Sequence, residues 1–111
     1  MRTGDRLPRR GEVWWVRVDK RRPAVVVQTD KLRDPRVRSF LVVPLTSRLH
    51  LEGLPGTVRL DRRVTQLPKA SVANAYGVQK VLRADFLECL GSLPLGGLAA
   101  LEEGLRLALD L

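Results

Sequence analysis

The chain has 111 residues, 44% of them hydrophobic and 29% charged, which fits one globular domain with a single core and excludes a disordered chain. Its apolar runs are too short to span a membrane, and "MRTGDRLPRRG" has no apolar signal region behind it. A single cysteine, Cys89, excludes an internal disulfide or a thiolate metal cluster, so a reducing cytoplasm is the expected compartment. The net charge is +8, with 16 Lys+Arg against 7 Asp+Glu in residues 1–63 and 4 against 5 in residues 64–111. Such a basic half points to a nucleic-acid partner or to an acidic protein surface.

Residues 1–9 read as a flexible N-terminal segment of the one domain, 1–111. "GEVWWVRVD" (11–19) alternates, with Val13, Trp15 and Val18 on one face and Glu12, Trp14 and Arg17 nearer the other, and predicts a first strand. One of the two tryptophans is expected in the core; the other stacks on a base or seals an interface. "DKRR" is a tight turn. "PAVVVQ" (23–28) predicts a second strand, covered on both faces, with Pro23 at the position where its missing N–H does least harm. After a polar loop (29–39), "FLVVPLTS" (40–47) predicts a third strand. Its Pro44 implies a bulge or an unpaired segment just before Thr46.

"GTVRL" (56–60) is a short strand and "RRVTQLPK" a loop. "ASVANAYGVQKVLR" (70–83) holds one long bent strand or two short ones, with Gly77 at the bend. "RADFLECLGSLP" predicts a helical turn from Ala84 to near Gly91. In "LGGLAALEEGLRLALDL", Leu98, Leu101, Leu105 and Leu109 form a helix stripe that closes a barrel or a subunit interface. Short strands at this spacing indicate a small curled sheet or barrel.

Chemistry-bearing motifs are sparse. His50 is the only histidine and has no second histidine or cysteine to complete a metal site; no metal or cofactor is expected. There is no glycine-rich phosphate loop, nucleophile elbow or helix-turn-helix.

"RRGEVWWVRVD", "RRPAVVVQTD", "FLVVPLTS", "LPGTVRL" and "VANAYGVQKVLR" occur in an order that resembles the MazF/PemK family of toxin–antitoxin endoribonucleases. The resemblance covers the chain from Arg10 onward. It implies a mainly β, SH3-like barrel with a C-terminal helix, a homodimer, and sequence-specific, metal-independent cleavage of single-stranded RNA. It also implies inhibition by a cognate antitoxin with an acidic tail. The family's arginine before a proline at the start of the second strand falls on Arg22, and its threonine after the third strand falls on Thr46. Gln28, Ser71 and Gln79 match RNA-groove positions less directly, and Arg21 and Lys80 are further RNA-contact candidates. The first loop, shrunk here to "DKRR", is longer in most family members, which puts groove coverage and target sequence in question.

The chemistry is consistent with these residue types. RNA brings its own nucleophile, the 2′-hydroxyl, so the protein needs only to position the phosphate and stabilise its developing charge. Arginine supplies a permanent charge and a fork matched to phosphate oxygens, and a threonine hydroxyl adds a second, stiffly held contact. Products would be a 2′,3′-cyclic phosphate and a 5′-hydroxyl. Arginine is a poor base at neutral pH; His50 is one candidate, a solvated loop histidine the plainer reading, and the base stays unassigned. Plainer readings of the pair also stay open: Arg22 as surface charge and Thr46 as a turn former. The alternative function is a non-catalytic nucleic-acid binder, or a topoisomerase poison of the CcdB type. The ending "LRLALDL" lacks the Trp-Gly-x-Phe-like segment of that branch.

Overall fold

Trp14, Val16 and Val13 are all buried to within 1% of their surface, so the first strand is covered on both faces. In the computed structural model, which describes residues 6–111, this strand is β1 (Glu12–Arg17). A three-residue turn returns the chain to β2 (Arg21–Val26), in a register that sets Arg17 against Arg21 and Val13 against Val25. β3 (Ser39–Thr46) pairs with β2. β4 (Thr57–Leu60) is followed by a short helix, α1 (Arg62–Thr65), where the sequence reads only as a loop. Next come β5 (Ser71–Asn74), a 3-10 turn (Ala75–Gly77) and β6 (Gln79–Leu82), so the 70–83 segment is two short strands. β7 (Phe86–Ser92) and α2 (Leu95–Leu109) complete the order.

All strand pairs are antiparallel. The order is β4-β5-β3-β2-β1-β7, with β6 pairing β3 beside β5. β3 is shared by two curled sheets: its first half pairs with β6 and its end pairs with β5. Between those halves lies Pro44. Val27 N donates to Leu41 O, so by alternation Leu41 and Val43 turn their backbone groups toward β2, and Pro44 turns away. The N–H that proline lacks therefore falls opposite the Ala75–Gly77 turn, where no strand needs it. This is the unpaired segment expected before Thr46. Strands curl around one core of Val13, Val25, Val43, Leu45, Ala73 and Leu101 that α2 covers. The result is a mainly β, SH3-like barrel with a C-terminal helix, although β4 and β7 do not close on each other. On the outer face a second cluster packs Trp14, Val26, Phe40, Val42, Val81 and Phe86, with Trp14 edge-on to Phe86 at 5.5 Å.

Several expectations need correction. Residues 86–91 are the closing strand β7, paired to β1, and not a helical turn; helix is confined to a 3-10 turn at Arg83–Asp85. The pairing shifts register at Val13/Trp14 and again at Trp15/Val16, and Gly91 has φ 138°, so the period of two is broken within β7. Val18 lies past the end of β1 and is 46% exposed. In the α2 stripe Leu101 and Leu105 are buried, whereas Leu109 is 51% exposed. Of the segment expected to be flexible, 1–5 lies outside the described residues. Residues 6–9 are tied down: Pro8 is buried, Arg33 donates to Pro8 O at 2.9 Å, and Arg6 pairs with the buried Glu12 at 2.7 Å. No helix among the described residues is long and apolar enough to cross a membrane.

Candidate functional site

The polar ends of β2, β3 and β5 meet at one rim of the barrel. β2 begins there because the β1–β2 turn is only three residues long, so Arg21 and Arg22 leave the turn already in strand conformation. β3 ends there at Thr46. The β2–β3 ladder reaches as far as Ala24 against Pro44; Arg22 and Thr46 each lie two residues beyond that pair, and both line the same cleft. β5 starts there at Ser71, its Val72 paired with Thr46.

These residues line a cleft of about 680 Å³. Its floor is apolar, with Trp15, Pro23, Leu45 and Leu67; its rim carries Lys20, Arg21, Arg22, Arg48 and Lys69. Each anchor has a local cause. Trp15 lies on the inner face of β1, half-buried, and the Arg21 guanidinium sits 4.6 Å above its ring. Arg21 also reaches Glu88 on β7 at 3.6 Å. Thr46 Oγ1 accepts from Arg48 N at 3.2 Å. That bond leaves the hydroxyl proton free to donate, so turn forming and phosphate contact are compatible roles for the same side chain.

Arg22 is exposed and held by Asp19: Nε donates to Oδ1 at 2.8 Å and Nη2 to Oδ2 at 3.1 Å. The hydrogen bond with Arg22 holds the Asp19 carboxyl well below the usual carboxylate range, and the same contact pushes the Arg22 guanidinium up. Arg22 is therefore permanently charged and cannot serve as a base.

The seven residues singled out in the sequence fall into two places. Arg21, Arg22, Thr46 and Ser71 come together in the cleft. Gln28, Gln79 and Lys80 do not; they gather at the opposite end of β3. There Gln28 Oε1 accepts from Leu41 N at 3.2 Å, Lys80 pairs with Leu41 and Gln79 with Val42. Gln28 is six positions from Arg22 along β2, on the order of 20 Å at strand rise. His50 is exposed in a 3-10 turn (Leu49–Leu51), outside the cleft lining. Among the described residues no three His, Cys, Asp or Glu side chains gather as a metal site would require. Sequence reasoning missed Lys20, Arg48, Lys69 and Asn74 in the lining. Their signal was weak: Lys20, Arg48 and Lys69 are polar residues one or two positions outside strand ends, and Asn74 is the last residue of β5.

Comparisons with known proteins bear on the family and the fold. The family model described as PemK-like, MazF-like toxin of type II toxin–antitoxin system matches residues 9–109. Over 110 residues the chain is 30% identical to a Mycobacterium tuberculosis protein named endoribonuclease MazF6, covering 92% of this chain and 96% of that one. Over 106 residues it is 36% identical to the probable endoribonuclease MazF5 of the same organism, covering 94% of each. The solved structure of Mycobacterium tuberculosis toxin MazF-mt6 matches with a TM-score of 0.79 at 27% identity, over 90% of this chain and 97% of that one. A MazE–MazF structure from Deinococcus radiodurans matches in fold, with a TM-score of 0.79 at 24% identity, over 96% of this chain and 99% of that one.

Proposed function

The chain belongs to the PemK-like, MazF-like family of type II toxins, and from that membership we propose that it is an endoribonuclease whose active cleft is the one built on Arg22 and Thr46. The observation that carries this reading is their convergence. A permanent cation at the start of β2 and a free hydroxyl donor at the end of β3 face one cleft rimmed by further cations. A phosphodiester seated on the Arg22 fork would accept from Thr46 as well.

In the reaction the RNA's own 2′-oxygen bonds to phosphorus and the bond from phosphorus to the 5′-oxygen breaks. The 2′-hydroxyl proton passes to solvent, and the departing 5′-oxygen takes one from water. Arg22 and Thr46 stabilise the charge that builds on the non-bridging oxygens. Ser71, buried at the cleft wall, and Arg21 extend the RNA contact. Trp15 would offer a stacking face to a base where Arg21, which rests on its ring, moves onto the RNA backbone. Gln28, Gln79 and Lys80, at the other end of β3, would meet RNA only where the strand runs on beyond the cleft. We further propose a cytoplasmic homodimer restrained by an acidic-tailed antitoxin; the cationic rim and the exposed leucines of α2 support that reading.

The test is direct. Purified protein is incubated with a long single-stranded RNA in EDTA, and the cut ends are mapped. Fixed cut sites bearing a 2′,3′-cyclic phosphate and a 5′-hydroxyl support the proposal. Binding without cleavage, or cleavage that needs added Mg²⁺, overturns it.

A further inference from the structure

We propose that Asp19 is a built-in rival for the phosphate seat: in the free protein its carboxylate occupies the Arg22 fork, and an incoming phosphate group must displace it. The proposal rests on reading the cleft as the RNA site.

The geometry is that of an occupied oxyanion site. Asp19 uses both carboxylate oxygens, on Arg22 Nε at 2.8 Å and Nη2 at 3.1 Å, the paired donors that would clamp two phosphate oxygens. The turn aims the carboxylate, because Lys20 N donates to Oδ1 at 2.9 Å. The three-residue span between the paired Arg17 and Arg21 keeps Asp19 close to Arg22 in the chain. The neighbourhood makes the choice of partner specific. Lys20, Arg48 and Lys69 line the same cleft and, among the described residues, make no ion pair, while Arg21 is shared with Glu88. The one carboxylate of the turn is thus directed onto the one arginine in which the reading places catalysis.

Such a rival is displaceable. Both partners are solvent-exposed, at 44% and 66%, and exposed ion pairs are weak. A phosphodiester on Arg22 gains the Thr46 hydroxyl and the surrounding cations as well. Until then the carboxylate keeps the guanidinium extended in one orientation, so ordering and competition come from a single contact.

The test measures the affinity of a random-sequence, single-stranded 2′-O-methyl oligonucleotide pool, which lacks the 2′-hydroxyl nucleophile. Anisotropy is read for the wild type, Asp19→Asn, Asp19→Glu, Arg22→Ala and the Asp19→Asn/Arg22→Ala pair. Asn keeps the turn's hydrogen-bond acceptor and removes the charge. Asp19→Asn is expected to bind roughly two- to fivefold tighter, Asp19→Glu to return toward wild type, and the gain to vanish when Arg22 is absent. Where the wild type binds the pool, no gain for Asp19→Asn, or an equal gain without Arg22, overturns the proposal, the latter assigning it to bulk charge.

A second measurement is independent of RNA. The Arg22 Nε–H resonance should be protected from exchange in the wild type, exposed in Asp19→Asn, and protected again by millimolar inorganic phosphate. Equal exchange in wild type and Asp19→Asn overturns the rival outright. Protection as expected, with no oligonucleotide bound by any variant, upholds it and defeats the RNA reading instead.

Discussion

Arg22 is oriented by a neighbouring charge and a rigid proline, not by burial, and that decides what its replacement should do. Arg22→Ala removes a charged fork from the rim and leaves the core untouched. Cleavage should fall by about 10²–10³-fold or more, with the urea midpoint of unfolding unchanged; a folded variant that cuts at the wild-type rate would refute the assignment. Cys89 offers a check of a different kind. Burial pushes its thiol above the ordinary range, so less thiolate exists at a given pH. Its alkylation at pH 8 should be slower than that of a short peptide thiol, and should reach the peptide rate in urea. At this scale the sequence was informative only in part. Arg22 and Thr46 could be picked out, because a family pattern marks the two ends of buried apolar runs. Asp19 could not, since an ion pair three residues apart depends on the turn's conformation, and an acidic residue in "DKRR" has no signature of its own.

The elements show where pattern reading works and where pairing overrides it. The middles of β1, β2 and β3 are apolar, β-branched runs buried on both faces, so their existence follows from composition alone. β7 was hidden because two register shifts and Gly91 scramble its alternation. The division of the seven residues into two groups was hidden for a related reason: which end of β3 faces the cleft is set by where β6 gives way to β5. That handover has a measurable vulnerability. A methyl group at Gly77 would lie 2.9 Å from Pro44 Cγ, a ring atom that cannot swing aside. Gly77→Ala should therefore cost about 1–3 kcal/mol in urea unfolding. Leu101, fully buried on α2 against the inner core, should cost about 2–5 kcal/mol as Leu101→Ala. An exposed control, Leu95→Ala, should leave the midpoint where it is.

Across the whole molecule, the excess charge of the first half is not spread evenly, since Lys20, Arg21, Arg22 and Arg48 converge on a single rim, where Lys69 of the second half joins them. If all five meet phosphates, the logarithm of RNA affinity should fall with the logarithm of salt at a slope of about −3.5. That is roughly a hundredfold loss between 50 and 200 mM salt. A flat response in a binding titration would detach the basic half from nucleic acid. The pairing of β1 with β7 has a consequence of timing. The first strand finds one neighbour at once in β2, yet its other neighbour is synthesised only after β2 to β6, and Trp14 needs Phe86 from that later strand to complete its contacts. At roughly 5–20 residues per second, β1 leaves the ribosome's catalytic centre several seconds before its partner is made. Every residue of the cleft, from Trp15 to Asn74, is therefore made before the strand that completes the packing of β1, so the site has its side chains before it has the sheet that holds them.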